Sequence, residues 1–197
     1  MVKSRIFLAG VGGQGTLTAT NLLALLALDK EIPVTSGEIH GMAQRGGIVE
    51  STVLLGGYLS PKIGPAEADI LLGFEPLETL RALPYLKPGG LIVSNTEPTM
   101  PVGVSLGNDA YPELERIQTA CSNCTDRSYF LACKSLASQA GTAQSANMVL
   151  LGGLSGLEGS FYDLEELQQS LQRHLPEKII PVNLDASRLG NEAIQAG

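Results

Sequence analysis

The residues that could do chemistry begin at Gly10-Val-Gly-Gly-Gln-Gly15, where Gly10, Gly12 and Gly15 satisfy G-x-G-x-x-G. Such a loop needs its first glycine for a tight turn, its second so that a ligand can reach the backbone, and its third so that the next helix packs on the preceding strand. The helix start then offers free N–H groups and a positive dipole end to an anion. Three readings follow: a dinucleotide pyrophosphate, another phosphate-bearing ligand, or a tight strand-to-helix turn with no ligand. A dinucleotide site needs a second feature, an acidic residue about 20 residues on, at the end of the second strand, for the ribose hydroxyl. Glu38 is the nearest candidate, but it falls behind Ser36-Gly37, past the expected strand end.

Other chemistry-bearing residues are sparser. Cys121, Cys124 and Cys133 give C-x2-C-x8-C, which invites an iron–sulfur or zinc reading, yet a fourth cysteine is missing. Free thiols are the simpler expectation. His174 suits the last turn of a helix, facing the carbonyl end of the dipole. His40 could titrate near neutrality, with proton transfer and loop ordering as its alternatives. Glu75 sits either at a ligand-binding strand end or as a helix cap, and Asn147, inside an apolar run, would need hydrogen-bond partners if buried. Ser155 is followed by Gly156 and Leu157, so no G-x-S-x-G elbow is present.

The elements that must position these residues alternate. Arg5 to Leu8 reads as a short buried strand that enters the glycine loop, and Thr16 to Leu28 as a helix almost apolar all round, wedged against a sheet or a subunit interface. Ile32 and Val34 mark a second strand with Pro33 at its start or at an edge. Ile48 to Leu55 reads as a third strand, turned at Gly56-Gly57 into a hairpin with "YLSPKIG". Asp69 to Gly73 and Leu91 to Ser94 are further strands, separated by a helix from Pro76 to Pro84 and a "KPGG" turn. Beyond them we expect a strand at Ile117 to Thr119, a helix from Tyr129 to Ala140 ended by Gly141, and an apolar helix over "SANMVLLGGLSGL". Asp163 to Leu175 carries a capping box through Glu166 and a stripe of Leu164, Leu167, Leu171 and Leu175. Alternation of strand and helix indicates the α/β class with a largely parallel sheet.

A length of 197 residues suits a single domain, residues 1 to 197. The net charge of −7 argues against nucleic acid or an anionic membrane surface as partners, since both demand clustered Lys and Arg; an anionic ligand would have to be met locally. No apolar run approaches the length of a bilayer-spanning helix, and no signal-peptide pattern opens the chain, so the expected location is the cytoplasm.

"GVGGQG", "GEIHGMAQRGG", "ADILLGFEPLE" and "SANMVLLGGL", in this order and spacing, resemble the gamma-type subunit of 2-oxoacid:ferredoxin oxidoreductases, in particular the indolepyruvate-type enzymes, over nearly the whole chain. The resemblance implies a three-layer α/β/α domain with a Rossmann-like, mixed but mostly parallel sheet. It also implies a non-redox subunit of an oxidoreductase that acts on the oxo group of donors with an iron–sulfur protein as acceptor. A larger partner subunit would carry thiamine diphosphate, Mg and iron–sulfur clusters, decarboxylate the 2-oxoacid, pass electrons to ferredoxin and deliver the acyl group to coenzyme A. This chain would shape the coenzyme A side of the site and hold no metal or catalytic residue. Carried over by position, Gly10, Gly12, Gly13, Gln14 and Gly15 form the signature loop, and Gln44, Arg45, Gly46 and Gly47 a second motif. Arg45 is the one fixed cation among them and suits a phosphate, an ion pair with Glu38 or Glu50 being the alternative. The apolar first helix leaves self-association of the isolated chain open.

Overall fold

A computed structural model describes residues 2–40, 47–101, 104, 106–107 and 110–196, with residues 39 and 40 described by backbone alone. Its centre is a six-stranded sheet. The strands are β1 (Ser4–Val11), β2 (Val34–His40), β3 (Ile48–Leu55), β4 (Ala68–Gly73), β5 (Leu86–Asn95) and β6 (Ser128–Leu131), in the order β2-β3-β1-β4-β5-β6. β1, β4, β5 and β6 run parallel, whereas β3 is antiparallel to both β1 and β2. The sheet is therefore mixed and mostly parallel, as expected.

Alternation along the central strands sends residues to two cores. Ile6, Leu8, Val53, Leu55, Ile70, Leu72, Leu91 and Val93 face one side, where α1 (Thr16–Asp29), α4 (Cys133–Ala140), α5 (Ala146–Ser155), α6 (Leu164–His174) and α7 (Ile180–Ala196) pack. Phe7, Ala9, Leu54, Leu71 and Ile92 face the other, under α2 (Pro76–Ala82) and α3 (Leu114–Cys124). Three layers result. α1 lies wedged between sheet and α6, with Leu23, Leu26 and Ala27 enclosed and Leu17 and Leu28 left on its outer face. The expected capping box on α6 is present: Glu166 N–H donates to Asp163 at 2.9 Å, and Asp163 N–H to the Glu166 carboxylate at 3.0 Å.

Several expectations are corrected. β1 extends through Gly10 to Val11 because β3 pairs with it along its whole length, as far as Val11 opposite Ile48. Residues 58–64 form no strand; β3 takes its partners from β1 and β2 instead. Pro61 interrupts that segment and Pro65 follows it, and it is held by side chains, Thr35 and Thr52 donating to the Tyr58 and Pro61 carbonyls. The "KPGG" turn lies inside β5 as an irregularity, with Gly89 at φ 70° and a shift in the β4–β5 register. Ile117 lies in helix α3, where it and Cys121 at i and i+4 share one buried face, so the period is helical. The helix expected from Tyr129 to Ala140 is divided: residues 128–131 are claimed by the free edge of β5, and α4 starts only at Cys133. α7, which the sequence reading did not assign, packs its backbone against α5. An added Cβ on Gly152 would stand 1.9 Å from the Ser187 carbonyl oxygen, and one on Gly190 2.0 Å from that of Val149.

Candidate functional site

The carboxyl ends of β1, β4 and β5 open into a cavity of about 240 Å³ on the α1 side of the sheet. Open α/β sheets place ligands at such an edge, because loops there diverge and helix starts converge. Gly13 and Gln14 of the glycine loop form one wall, Phe74 and Asn95 the floor at the ends of β4 and β5, and Cys133 and Lys134 a second wall. Ala146, Asn147 and Leu150 of α5 close the third side. Three helices thus begin around one space. α4 is already satisfied: the Glu97 carboxylate accepts from the Ser135 N–H at 3.0 Å and from that of Lys134. α1 has no side-chain cap, whereas α5 continues a short turn over Ala143–Ser145 that Thr142 caps, and its Met148 N–H donates to Asn147 Oδ1 at 3.0 Å.

The loop's geometry follows from its glycines. Gly13 and Gly15 adopt φ of 99° and 76°, conformations that side chains other than glycine's resist. A Cβ on Gly10 would lie 2.8 Å from Thr16 Oγ1 and 2.9 Å from Phe74 Cβ, so only a bare backbone lets α1 sit this close to β4. Gln14 is clamped at both ends: its carbonyl oxygen accepts from Val11 N–H at 3.0 Å and its amide donates to Thr99 Oγ1 at 3.1 Å. Asn147, reaching from α5, donates to the Gly15 carbonyl at 3.3 Å, the structural role anticipated for it. Thr16 Oγ1 is enclosed and has no hydrogen-bond partner among the described residues.

Gly10, Gly12, Gly13, Gln14 and Gly15 therefore come together, and Gly47 of the second motif joins them, its carbonyl accepting from Gly12 N–H at 3.0 Å. Gln44, Arg45 and Gly46 lie outside the described residues, as does the side chain of His40. Glu75 is the cap of α2: its carboxylate accepts from Glu78 N–H at 3.1 Å, Thr99 N–H at 3.1 Å and the Tyr111 hydroxyl at 2.6 Å. Burial and that carboxylate push the Tyr111 hydroxyl's pKa far up. Cys121 belongs to the core on one side of the sheet and Cys133 to the core on the other, so the three cysteines cannot surround one ion. Burial pushes the Cys121 thiol up to about 11 and the Cys133 thiol higher still. His174 meets Asp29 of α1 at 3.1 Å, at the end of α6.

Lys134 is the cavity residue that the sequence did not single out. It stands 120 residues along the chain from Gln14, and only the β6–α4 connection brings it to the glycine loop. Its ammonium donates to the Pro98 carbonyl at 2.9 Å and to Thr99 Oγ1 at 3.0 Å. Among the described residues, no Asp or Glu lines the cavity. A wall of apolar side chains beside the glycine loop, the uncapped start of α1 and an ammonium suits an anionic head joined to an apolar body.

Residues 5–193 match the model of the family described as pyruvate ferredoxin/flavodoxin oxidoreductase. Indolepyruvate oxidoreductase subunit IorB of Pyrococcus horikoshii is 40% identical over 98% of this chain and 96% of its own length, and its counterpart in Thermococcus kodakarensis is 38% identical over the same shares. Among solved structures, the gamma subunit of a keto/oxoacid ferredoxin oxidoreductase from Geobacter sulfurreducens superposes with a TM-score of 0.71 at 22% identity, covering 98% of this chain and 99% of that one. A 2-oxoglutarate:ferredoxin oxidoreductase from Magnetococcus marinus, solved with 2-oxoglutarate, coenzyme A and succinyl-CoA bound, superposes with the same score at 18% identity. It covers all of this chain and 32% of that longer one.

Proposed function

The chain belongs to the pyruvate ferredoxin/flavodoxin oxidoreductase family, and from that premise we propose that it is the small subunit of a thiamine-dependent, indolepyruvate-type 2-oxoacid:ferredoxin oxidoreductase. In this reading residues 1–197 form one domain. A larger subunit carries thiamine diphosphate, Mg and the iron–sulfur clusters, oxidatively decarboxylates the 2-oxoacid and reduces ferredoxin. This chain takes no electron itself and supplies the coenzyme A side of the shared site through Gly10, Gly12, Gly13, Gln14, Gly15 and Gly47, with Gln44, Arg45 and Gly46 completing the second motif. Coenzyme A, when bound, accepts the acyl group as a thioester. What this chain's residues do is hold its phosphates against bare amides and keep its apolar arm along Phe74 and Leu150.

The observation that carries the reading is the cavity at the carboxyl edge, where the glycine loop leads into the uncapped start of α1 and no carboxylate lines the cavity among the described residues. A stand-alone NAD(P) or FAD enzyme fits less well. In a dinucleotide fold the second strand lies beside the first, so that its terminal acid reaches the ribose. Here β3 intervenes: Glu38 pairs with Ser51 and Ser51 with Leu8, which leaves Glu38 two strand spacings, about 9.5 Å, from β1.

The deciding experiment is expression of the chain with its own tag in the native cell, followed by titration of the purified material with coenzyme A and with NADH. The expected result is recovery of a larger cluster-bearing chain and saturable binding of coenzyme A by the complex. Recovery of the chain alone together with micromolar NADH binding would overturn the proposal.

A further inference from the structure

The strap formed by residues 96–101 follows β5, and through Thr99 it ties together two residues of the cavity wall, Gln14 and Lys134. Thr99 Oγ1 accepts twice, from Gln14 Nε2 at 3.1 Å and from Lys134 Nζ at 3.0 Å. An oxygen that accepts two hydrogen bonds still has its own proton to give. Lys134 spends two of its three N–H bonds, on the Pro98 carbonyl and on Thr99, and retains the third. Its ammonium makes no ion pair with a carboxylate among the described residues, because Glu97, the carboxylate bonded to its backbone, is occupied by the N–H groups of residues 134 and 135 and by the Ser135 hydroxyl at 2.6 Å. Gln14, fixed at both ends, locks this pair to the glycine loop, so the three side chains make one bar along the mouth of the cavity.

We propose that Lys134 and Thr99 together read a phosphate of the coenzyme A that the preceding section assigns to this cavity, and that they make the site selective for a phosphorylated carrier over its unphosphorylated pantetheine arm. The inference rests on that reading. The chemistry selects the ligand class: a retained ammonium N–H and a hydroxyl proton are both donors, a phosphate is acceptor-rich and charged, and a charge-assisted pair in a recess without carboxylates is stronger than a neutral one. The bar also gives Gln14, a polar residue among glycines, a positioning duty: through Thr99 it holds the reader in register with the loop amides.

The test is equilibrium titration of the chain purified with its larger subunit, using coenzyme A and pantetheine in parallel and no 2-oxoacid. The expected result is that Lys134→Met weakens coenzyme A binding about tenfold or more, as loss of a charged hydrogen bond does. Pantetheine binding and the melting temperature should not move, and Lys134→Arg should recover most of the loss. Thr99→Val, which keeps the shape but removes both the proton and the oxygen that holds Gln14 and Lys134, should weaken coenzyme A binding and leave that of pantetheine unchanged, and Thr99→Ser, which restores the hydroxyl, should recover it. Wild-type binding of coenzyme A combined with a Lys134→Met affinity within twofold of it would overturn the role of Lys134 and leave the assignment of the cavity standing. An equal loss for both ligands would make Lys134 a structural residue and overturn the inference too. Failure of the wild-type complex to bind coenzyme A would overturn both.

Discussion

Glu78 points its carboxylate into the packed underside of α2, 3% exposed, with Arg81 at 2.6 Å as its counter-ion. Burial raises its pKa above the usual carboxylate range, Arg81 lowers it, and the neighbouring charges of Glu75 and Glu50 raise it again, with a net upward shift. A carboxyl group that holds its proton more tightly folded than unfolded makes stability fall as pH rises through its folded value, and the cost persists at all higher pH. Glu78→Gln should therefore melt higher than wild type at pH 7, and this advantage should vanish below about pH 4, under the unfolded value. Arg81 is half exposed, so loss of its pair costs little. Thermal melts of both proteins across pH 3.5–8 decide it; a constant difference at every pH would refute the assignment. At this scale the sequence was legible where a residue acts on its own neighbours. Glu75 before Pro76 announces a cap, and Asn147 in an apolar run announces a bonding duty. Lys134 was illegible because its place at the start of α4, beside the strap, exists only after residues 128–131 leave the helical pattern to join β5.

Among the elements, α5 and α7 show how closely the site depends on distant packing. Gly152 and Gly190 let the two backbones touch, and α5, so seated, carries Asn147 to the Gly15 carbonyl. Gly152→Ala would set a methyl group 1.9 Å from the Ser187 carbonyl oxygen. It should destabilise by about 1–3 kcal/mol, as overpacking of a tight contact does, and lower the melting temperature by several degrees. A melt indistinguishable from wild type would show that α7 can retreat freely. The capping box and leucine stripe made α6 readable in advance, since both signals are local. α3 and β6 were misread for the opposite reason. "ERIQTAC" carries one buried residue per turn in a polar setting, and "SYFL" is short enough that the open edge of β5, not its own propensity, fixed its state.

At the scale of the whole molecule, the acids at the carboxyl edge of the sheet are engaged by backbone N–H groups: Glu75, just past β4, caps α2, and Glu97, just past β5, accepts from the start of α4. Twenty Asp and Glu outnumber thirteen Lys and Arg, yet no described Asp or Glu lines the cavity. The fold class could be read from strand–helix alternation, but not the placement of β3 between β1 and β2, because strand order is set by pairings that no local pattern records. A polar chain also spans the layers: Glu75, under the sheet, accepts from Thr99 N–H, and the Thr99 side chain holds Gln14 and Lys134 on the other side. Glu75→Gln should consequently speed amide hydrogen exchange at Val11 and in the glycine loop, measured residue by residue, and not only within α2; a change confined to α2 would show the two sides to be independent.

Among the described residues the sheet ends differently at its two margins: β2 runs for seven residues, β6 for only four. Any neighbour that docks by adding a strand gains most along β2, two strands removed from β1 and farther still from the recess at β4 and β5. Growth in that direction would enlarge an assembly while leaving its reactive mouth uncovered, whereas a neighbour seated over the starts of α4 and α5 would become the missing roof. The fold thus keeps its longer strand margin and its recess on separate parts of the surface.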